Sequence, residues 1–430
     1  MSQLKVPKGT RDILGREIHL WRRIEETVYS VAQLFGYQEI RTPIFESTEL
    51  FARGVGEGTD IVQKEMYTFL DKGGRSLTLR PEGTAPVMRA YLEQGFAVHE
   101  PRVKWFYLGP MFRYERPQAG RMRQFHQFGF EAIGFESPAC DAEIILIAWT
   151  IYEELGLKRL SLEINSLGCN HCKPGYIEAL KNFFRDRSEE LCSNCKDRLE
   201  RNPLRILDCK VETCQTVLRS TAFPNLQDFL CEDCKKHQAE LLQTLTALGI
   251  PFVINPHLVR GLDYYTRTAF EVKTGELGAQ DAVGGGGRYD NLSQALGGQR
   301  VPGVGFAAGM ERIVLLLQKE ETETSSERSG VYLAPLGKEG ERYLLVLSRV
   351  LLQHGIPFYT DFADKTLKYH LKRAQKMGIR WVVILGEEEI QKSVFLLKDM
   401  ISGEQISLSQ EGLLKKLQEE ISGAENTYLR

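Results

Sequence analysis

Two aromatic-rich runs, WFYLGPMFRYE (105–115) and RQFHQFGFEAIGF (123–135), flank the polar, turn-like segment RPQAGRM (116–122). Aromatic side chains favour a pleated, half-buried surface, and a short turn between two such runs reads as a long antiparallel hairpin. This part of the chain is therefore expected to rest on an antiparallel sheet. The two-residue period of a strand puts Arg113 and Glu115 on one face. On the return run Phe125, Gln127, Gly129 and Glu131 share a face. Four arginines, Arg113, Arg116, Arg121 and Arg123, cluster around the turn. A sheet floor carrying arginines, an aromatic ring and two carboxylates suits a phosphorylated, aromatic-containing ligand. Guanidinium forks grip phosphate oxygens, and a phenylalanine face stacks a base. An exposed hairpin with surface ion pairs would use the same residue types.

The rest of the chain extends this platform. Residues 16–36 have the apolar period of an amphipathic helix ending at Gly36, and YQEIRTPIF follows as a strand with Pro43 at a sheet rim. Residues 141–156 read as a helix and RLSLEIN as a strand. Strand patterns return at 252–256, 267–272 and 281–284, and GVGFAAGMERIVLLLQ (303–318) passes from a glycine-rich strand or turn into a helix. KEETETSSERSG (319–330) has no apolar period and reads as a linker. Beyond it, GVYLAPL, PFYTDF and RWVVILG alternate with helical stretches. That β-α-β-α-β spacing predicts a small α/β domain with a largely parallel sheet.

At 430 residues the chain has room for about three domains. The net charge is -2, so a nucleic-acid partner would have to be met by a local basic surface. The opening MSQLKVPKGTRD has no apolar signal core, and no apolar run approaches the ~18 residues of a membrane span. A cytosolic protein is expected, in which the nine cysteines are not expected to form structural disulfides.

Three further segments carry chemistry. RGLDYYTRTAFEV (260–272) places Arg260 and Asp263 beside Tyr264 and Tyr265. RPEGT (80–84) offers Glu82, Gly83 and Thr84 in a Pro/Gly turn. GGGGRYDNL (284–292) and VPGVGFAAGMER (301–312) allow close backbone approach to a ligand or another strand. They lack the GxxxxGK[ST] of a Walker phosphate loop, and Arg312 stands where a helix start can meet a phosphate. In DKTLKYHLKRAQK (364–376), Lys365, Lys368, Lys372 and Lys376 share one helical face, with Leu367, Leu371 and Ala374 on another.

Eight cysteines fall in pairs. Cys169-x2-Cys172 is followed by Cys192-x2-Cys195, and Cys209-x4-Cys214 by Cys231-x2-Cys234. Taken in chain order, these suit two four-thiolate zinc sites, one of Cys169, Cys172, Cys192 and Cys195, the other of Cys209, Cys214, Cys231 and Cys234. Reduced thiols packing a helical insert are the alternative.

Together the segments resemble the class II aminoacyl-tRNA synthetases. GYQEIRTPIF (36–45) looks like their motif 1, FRYE with the loop and RMRQF like motif 2, and GVGFAAGMER like motif 3. RGLDYYTRTAFEV with GGGGRYDNL is similar to the segment peculiar to the histidyl-tRNA synthetases. The resemblance implies an α+β catalytic domain on an antiparallel sheet flanked by helices, a helical Cys-rich insertion, and a C-terminal α/β domain for the anticodon. The expected boundaries are 1–167 and 236–320 for the catalytic domain, 168–235 for the insertion, 321–330 for a linker and 331–430 for the terminal domain. It implies activation of L-histidine by ATP with Mg²⁺, transfer to tRNA-His, and a homodimer built through motif 1. It assigns the α-phosphate to Arg113, the adenine amino group to Glu115, and adenine stacking to Phe125. Arg121 and Arg312 are implied for the β- and γ-phosphates. Glu82, Gly83, Thr84 and Gln127 fall to the histidine ammonium and its neighbours, and Glu131, Tyr264 and Tyr265 to the imidazole. Arg260 is implied between the histidine carboxylate and the α-phosphate. Arg116 and Gln118 match positions near the tRNA acceptor end, and the four lysines become candidates for the anticodon stem. A non-catalytic paralogue sharing the fold typically lacks the terminal domain. A synthetase for proline or threonine would not carry DYYTRTAF.

Overall fold

The structure, a computed structural model, describes residues 4–15, 17–220, 222–277, 281–320, 328–363 and 365–421. The chain divides into two compact units, Met1–Glu320 and Glu321–Arg430.

The first unit opens with the helix Glu17–Leu34, whose buried residues Leu20, Trp21, Ile24, Val28, Val31 and Ala32 recur at helical spacing. Gly36 follows in the left-handed conformation (φ 72°), which ends the helix and turns the chain into the sheet. The strand expected over YQEIRTPIF is broken. Only β1 (Gln38–Glu39) and β2 (Phe45–Ser47) are extended, and they lie in different sheets. Pro43 stands between them, and its missing N–H cannot continue a ladder. β2 pairs with β4 (Ser76–Leu79), which also pairs with β3 (Tyr67–Leu70).

The main sheet adds β5 (Val103–Phe112), β6 (Gln124–Ile133), β7 (Leu160–Ser166), β8 (Phe252–Ile254), β9 (Thr266–Thr274), β10 (Ala282–Arg288) and β11 (Gly303–Gly309). Its strand order is β1-β5-β6-β11-β10-β9-β7-β8. Every pair from β5 to β7 in that order is antiparallel, and only the two short edge strands β1 and β8 pair in parallel. The hairpin forms as expected, with Val103 opposite Ile133 and Phe112 opposite Gln124. It ends sooner than the pattern suggested: Arg113 and Glu115 lie beyond β5, in a turn where the Glu115 N–H bonds the Arg113 carbonyl (2.8 Å). Strand alternation therefore does not set their common face; the turn does.

One face of this sheet buries Phe106, Phe128, Phe130, Phe270 and Phe306 against the helices Glu17–Leu34, Pro138–Glu154, Glu232–Ala247 and Met310–Glu320. Phe130 and Phe306 stack with centroids 5.4 Å apart. The other face, where Trp105, Tyr107 and Met111 stand beside polar side chains, holds the site. A buried ion cluster ties the two together at one end. Arg288 of β10, wholly buried, bonds Asp141 Oδ2 (3.1 Å), Asp290 Oδ1 (3.1 Å) and the carbonyl of Phe135 (2.9 Å). Leaving such a charge unpaired costs about 3–5 kcal/mol, so the set fixes the β10 exit that carries Tyr289.

Between β7 and the helix Glu232–Ala247 the first unit carries the helices Lys173–Arg185, Ser193–Arg201 and Glu212–Leu218, within the span expected to be a helical insert. The second unit holds β12 (Arg328–Pro335), β13 (Phe358–Thr360), β14 (Ile379–Leu385), β15 (Val394–Asp399) and β16 (Gln405–Ser409), in the order β13-β12-β14-β15-β16. The β13-β12-β14 core is parallel, as the spacing predicted. β15 and β16 add an antiparallel edge that the apolar pattern did not reveal. Of the expected linker 321–330, residues 328–330 already belong to β12, and 321–327 lie outside the described residues.

Candidate active site

Glu131 sits at the floor of the face that holds the site, in the middle strands of the sheet and with no solvent exposure. Thr84 Oγ1 donates to its Oε1 (2.7 Å) and Tyr289 OH to its Oε2 (2.5 Å). Burial pushes the carboxyl up to about 8; the two hydroxyls pull it back, and nearby Glu82 adds to the rise. Glu82, also raised by burial, accepts the N–H groups of Thr84 (2.8 Å) and Ala85 (2.9 Å) and the hydroxyl of Tyr264 (3.3 Å). The RPEGT segment is thus no solvated loop. Gly83 and Thr84 start the helix Thr84–Glu93, and Glu82 satisfies N–H groups of its first turn. Tyr264 and Tyr265 are buried side by side, with ring centroids 4.7 Å apart.

Tyr107 completes this pocket, and sequence reasoning missed it. Its hydroxyl is buried, and its pKa is raised by burial first and then by the charges of Glu131 and Glu82. The signal was indirect. A Cβ built at Gly83 or at Gly129 would lie 2.3 or 2.4 Å from the Tyr107 ring, so both glycines exist to admit it. The same reading explains the glycine run, which forms β10 itself. A Cβ at Gly285 would meet Arg260 Nη1 at 2.6 Å, and one at Gly305 would meet Glu131 Oε2 at 1.8 Å.

Next to the pocket a cleft of about 200 Å³ is lined by Arg113, Glu115, Arg121, Phe125, Gln127, Arg260, Glu271, Glu311 and Arg312. Arg113 donates through Nε to the Pro81 carbonyl (2.9 Å), and its guanidinium carbon lies 5.3 Å from the Phe125 ring centroid. Glu115 is ion-paired to Arg121 and stands 3.9 Å from Arg113. Arg312 donates to the Ala282 carbonyl from the first turn of its helix. Arg260 Nη1 is held by Glu271 (2.7 Å), which in turn sits 3.5 Å from Lys273. Glu271 and Lys273 were not singled out in the sequence, because strand alternation gave no reason to prefer them. Glu311 is engaged elsewhere, accepting the His126 backbone N–H (2.9 Å).

Among the described residues, three buried polar atoms here have no protein partner: Tyr107 OH, Gln127 Oε1 and Arg260 Nε. Such atoms cost about 1–3 kcal/mol each unless something pairs with them. One is a hydroxyl, one an acceptor and one a cationic donor. A zwitterion offers the matching set, an ammonium for Gln127 and a carboxylate for Arg260.

The comparisons agree with this geometry. A family profile described as "Histidyl-tRNA synthetase" matches residues 9–313, and one described as "Anticodon binding domain" matches residues 330–420. A histidine–tRNA ligase of Desulforudis audaxviator is 50% identical over 97% of this chain and 99% of its own length. One from Desulfitobacterium hafniense is 49% identical over 94% of this chain and 95% of its own. The crystal structure of apo Staphylococcus aureus histidyl-tRNA synthetase superposes with a TM-score of 0.79 at 38% identity, covering 97% of this chain and 100% of that one.

The chain belongs to the histidyl-tRNA synthetase family.

Two further groups of sequence candidates stand on the hairpin turn and in the second unit. Arg116 and Gln118 are exposed at the hairpin turn, which Gln118 and Arg121 close by mutual backbone hydrogen bonds of 3.0 and 2.9 Å. In the second unit Lys368, Lys372 and Lys376 are exposed on the helix Leu367–Met377. Lys365 is not on that helix. It precedes the N-cap Thr366, because the chain enters the helix only at Leu367, so helical spacing does not place it with the other three. Leu367, Leu371 and Ala374 pack into the apolar cluster around Tyr332 and Val382, as expected.

The cysteine pairing expected from chain order is wrong. Cys169, Cys172, Cys231 and Cys234 form one cluster and Cys192, Cys195, Cys209 and Cys214 the other, each with all sulfurs within 4.8 Å of one another. The arrangement is nested: the insert leaves and returns at its base, so its first and last pairs meet there and the middle pairs meet at its tip. No helix is long and apolar enough to cross a membrane among the described residues.

Proposed function

We propose that this synthetase activates L-histidine with ATP and transfers it to the 3′ end of tRNA-His, using the pocket around Glu131 for the imidazole and the arginine cleft for the nucleotide. The observation that carries this reading is the set of unpaired polar atoms, Gln127 Oε1 and Arg260 Nε, at the junction of the two. Histidine's carboxylate is ionised at neutral pH and needs no base. One of its oxygens attacks the α-phosphorus, a new O–P bond forms, the bond to the β-phosphate bridge breaks, and pyrophosphate leaves. Arg113 and Arg260 align the anions and neutralise the charge that builds on the α-phosphate. Phe125 stacks the adenine, with Glu115 near its amino group. Arg121 and Arg312 take the β- and γ-phosphates. Glu82, Gly83, Thr84 and Gln127 receive the ammonium and its neighbours. Tyr264, Tyr265 and Glu131 line the imidazole pocket, and Glu131 offers it either an acceptor or a proton.

Mg²⁺ supplies further charge neutralisation on the phosphates. The nearby carboxylates Glu115 and Glu271 are already paired with arginines, which suits an ion carried on the nucleotide and not a protein cage. Transfer of the acyl group from the adenylate to the terminal ribose releases AMP. Arg116 and Gln118 would meet the acceptor end, and Lys365, Lys368, Lys372 and Lys376 the anticodon stem. Ile44 and Phe45 of the motif 1 segment are large apolar side chains left exposed, which supports a homodimer through that edge. A cytosolic location and structural zinc in the insert complete the reading. ATP–pyrophosphate exchange with each of the twenty amino acids tests it. Exchange with histidine alone is expected; exchange with proline or threonine, or with none, would overturn it.

A further inference from the structure

The insert joins the active site at two places, and the two cysteine clusters stand one at each. At the base, the backbone of Gly168 accepts from Arg267 N–H (2.8 Å), and Lys173 Nζ donates to the Tyr265 carbonyl (2.5 Å). These contacts flank Cys169 and Cys172 and reach the strand end that carries Tyr264 and Tyr265. At the tip, the segment between Cys195 and Cys209 turns back onto the loop that carries Arg260. Arg205 Nη1 donates to the Arg260 carbonyl (3.1 Å), Asn202 Nδ2 to Asp263 Oδ1 (2.8 Å), and Arg198 Nη2 pairs with Asp60 Oδ2 (3.0 Å).

The sulfur spacing matches a four-thiolate metal site. In the base cluster the Sγ···Sγ distances are 3.6 Å for Cys169–Cys172, 3.8 Å for Cys169–Cys231 and 3.8 Å for Cys172–Cys234. In the tip cluster Cys192–Cys209 is 3.9 Å. A disulfide needs about 2.05 Å. Four thiolates at about 2.3 Å from a central Zn²⁺ stand about 3.8 Å apart at the corners of a tetrahedron. Backbone N–H groups already support the sulfurs, Cys231 N–H to Cys172 Sγ (3.2 Å) and Cys192 N–H to Cys214 Sγ (3.2 Å). Charge, distance and outer hydrogen bonds all fit a soft divalent ion.

We infer that the insert holds two Zn²⁺ ions in nested Cys₄ sites, and that the tip ion positions Arg260 by shaping the 196–208 segment whose Arg205 and Asn202 brace the segment 260–263. This deepens the ligase reading and rests on it for the role of Arg260. Arg205 is a positioning residue: it touches the backbone of Arg260 and not the reacting atoms. A small misplacement of an aligning group costs about 10²-fold in rate. The metal therefore acts on turnover more than on ATP binding.

Three proteins purified under reducing, chelator-free conditions test this. The wild-type chain should contain two equivalents of zinc, and exchange of zinc for Co²⁺ should give thiolate-to-cobalt charge-transfer bands. The double variant Cys209→Ser/Cys214→Ser should keep one equivalent, gain protease sensitivity within 196–208, and lose about 100-fold in kcat for histidine-dependent exchange with KM for ATP held. Arg205→Ala should keep both ions and show a similar kcat loss, partly restored in Arg205→Lys. Less than two zinc per wild-type chain overturns the inference. So does a one-zinc variant, or Arg205→Ala, with full exchange. Absence of histidine exchange by the two-zinc wild type would instead sink the ligase reading and leave the metal count standing.

Discussion

Glu131 gives the sharpest test of the pocket, because its charge is the one that burial penalises most plainly. Its carboxyl rises from 4.5 to about 8 in the folded chain. A raised carboxyl binds its proton more tightly when folded than when unfolded. Its stabilising contribution is therefore complete below about 4.5 and is lost as pH climbs to about 8. Each pH unit across that window is worth about 1.4 kcal/mol, so the ceiling is about 5 kcal/mol. Relaxation of the pocket and water entry would reduce this to roughly 2–5 kcal/mol. Glu131→Gln keeps the shape, leaves an oxygen for one of the Thr84 and Tyr289 hydroxyls, and cannot ionise. At about 2.1 cal/mol/K per residue, a 320-residue unit unfolds with roughly 0.7 kcal/mol/K of entropy. Glu131→Gln should match the wild type in melting temperature near pH 5 and exceed it by about 3–7 °C near pH 8.5, both without histidine. The difference between the two proteins isolates Glu131 from Glu82, which is raised in the same direction. Differential scanning across pH 5–9 measures it. A difference that stays flat with pH would mean that Glu131 ionises freely in the fold, and the account of a dry imidazole pocket would fail.

Other outcomes follow from the same geometry. Arg113→Ala should cut histidine-dependent exchange by about 10²–10³-fold with an unchanged circular dichroism spectrum, as loss of a charge-neutralising donor does; near-normal exchange would remove Arg113 from the reaction. Gly305→Ala should destabilise by about 1–3 kcal/mol and weaken histidine binding, since its Cβ would lie 1.8 Å from Glu131 Oε2 and 2.6 Å from the Phe130 carbonyl. Gly309→Ala in the same strand meets nothing within 4 Å and serves as the control in calorimetry. Lys368→Ala/Lys372→Ala should leave exchange intact, raise KM for tRNA, and lower the slope of log affinity against log salt by about 0.9 per lost phosphate contact; an unchanged slope in a filter-binding titration would place the anticodon stem elsewhere.

The sequence was most readable where structure is local. The hairpin over β5 and β6 carried its own turn, and Phe125, Gln127, Gly129 and Glu131 share the face that strand alternation assigns them. The helix Glu17–Leu34 and the parallel strands β12–β14 likewise carried their periods. It was least readable where partners meet across long separations. Cys169 and Cys231 are 62 residues apart, and nothing in either pair says whether it closes with its neighbour or with the far end of the insert. Tyr107 looked like one aromatic in a strand of them, and its nearness to Glu82 depends on the start of the helix Thr84–Glu93, far back in the chain. Lys365 shows the converse error, a face drawn by helical arithmetic past the N-cap Thr366, before the helix begins at Leu367.

Glycine positions also fix which register the sheet adopts. Opposite Glu131 stand Trp105 in β5 and Gly305 in β11, and the next partners along β11 are Phe306 with Phe130 and Ala307 with Gly129. A slip of one residue would bring Val304 or Phe306 opposite Glu131. Every side chain on the shifted strand would also change face. The Glu131 carboxylate already fills the space that any Cβ at 305 would occupy, so the slipped registers collide with the charged pocket as well as exposing the phenylalanine stack. The glycines that admit the polar groups on one face thus reinforce the apolar pattern on the other. Both select the same alignment, and the buried acid Glu131 is part of what makes any other alignment costly.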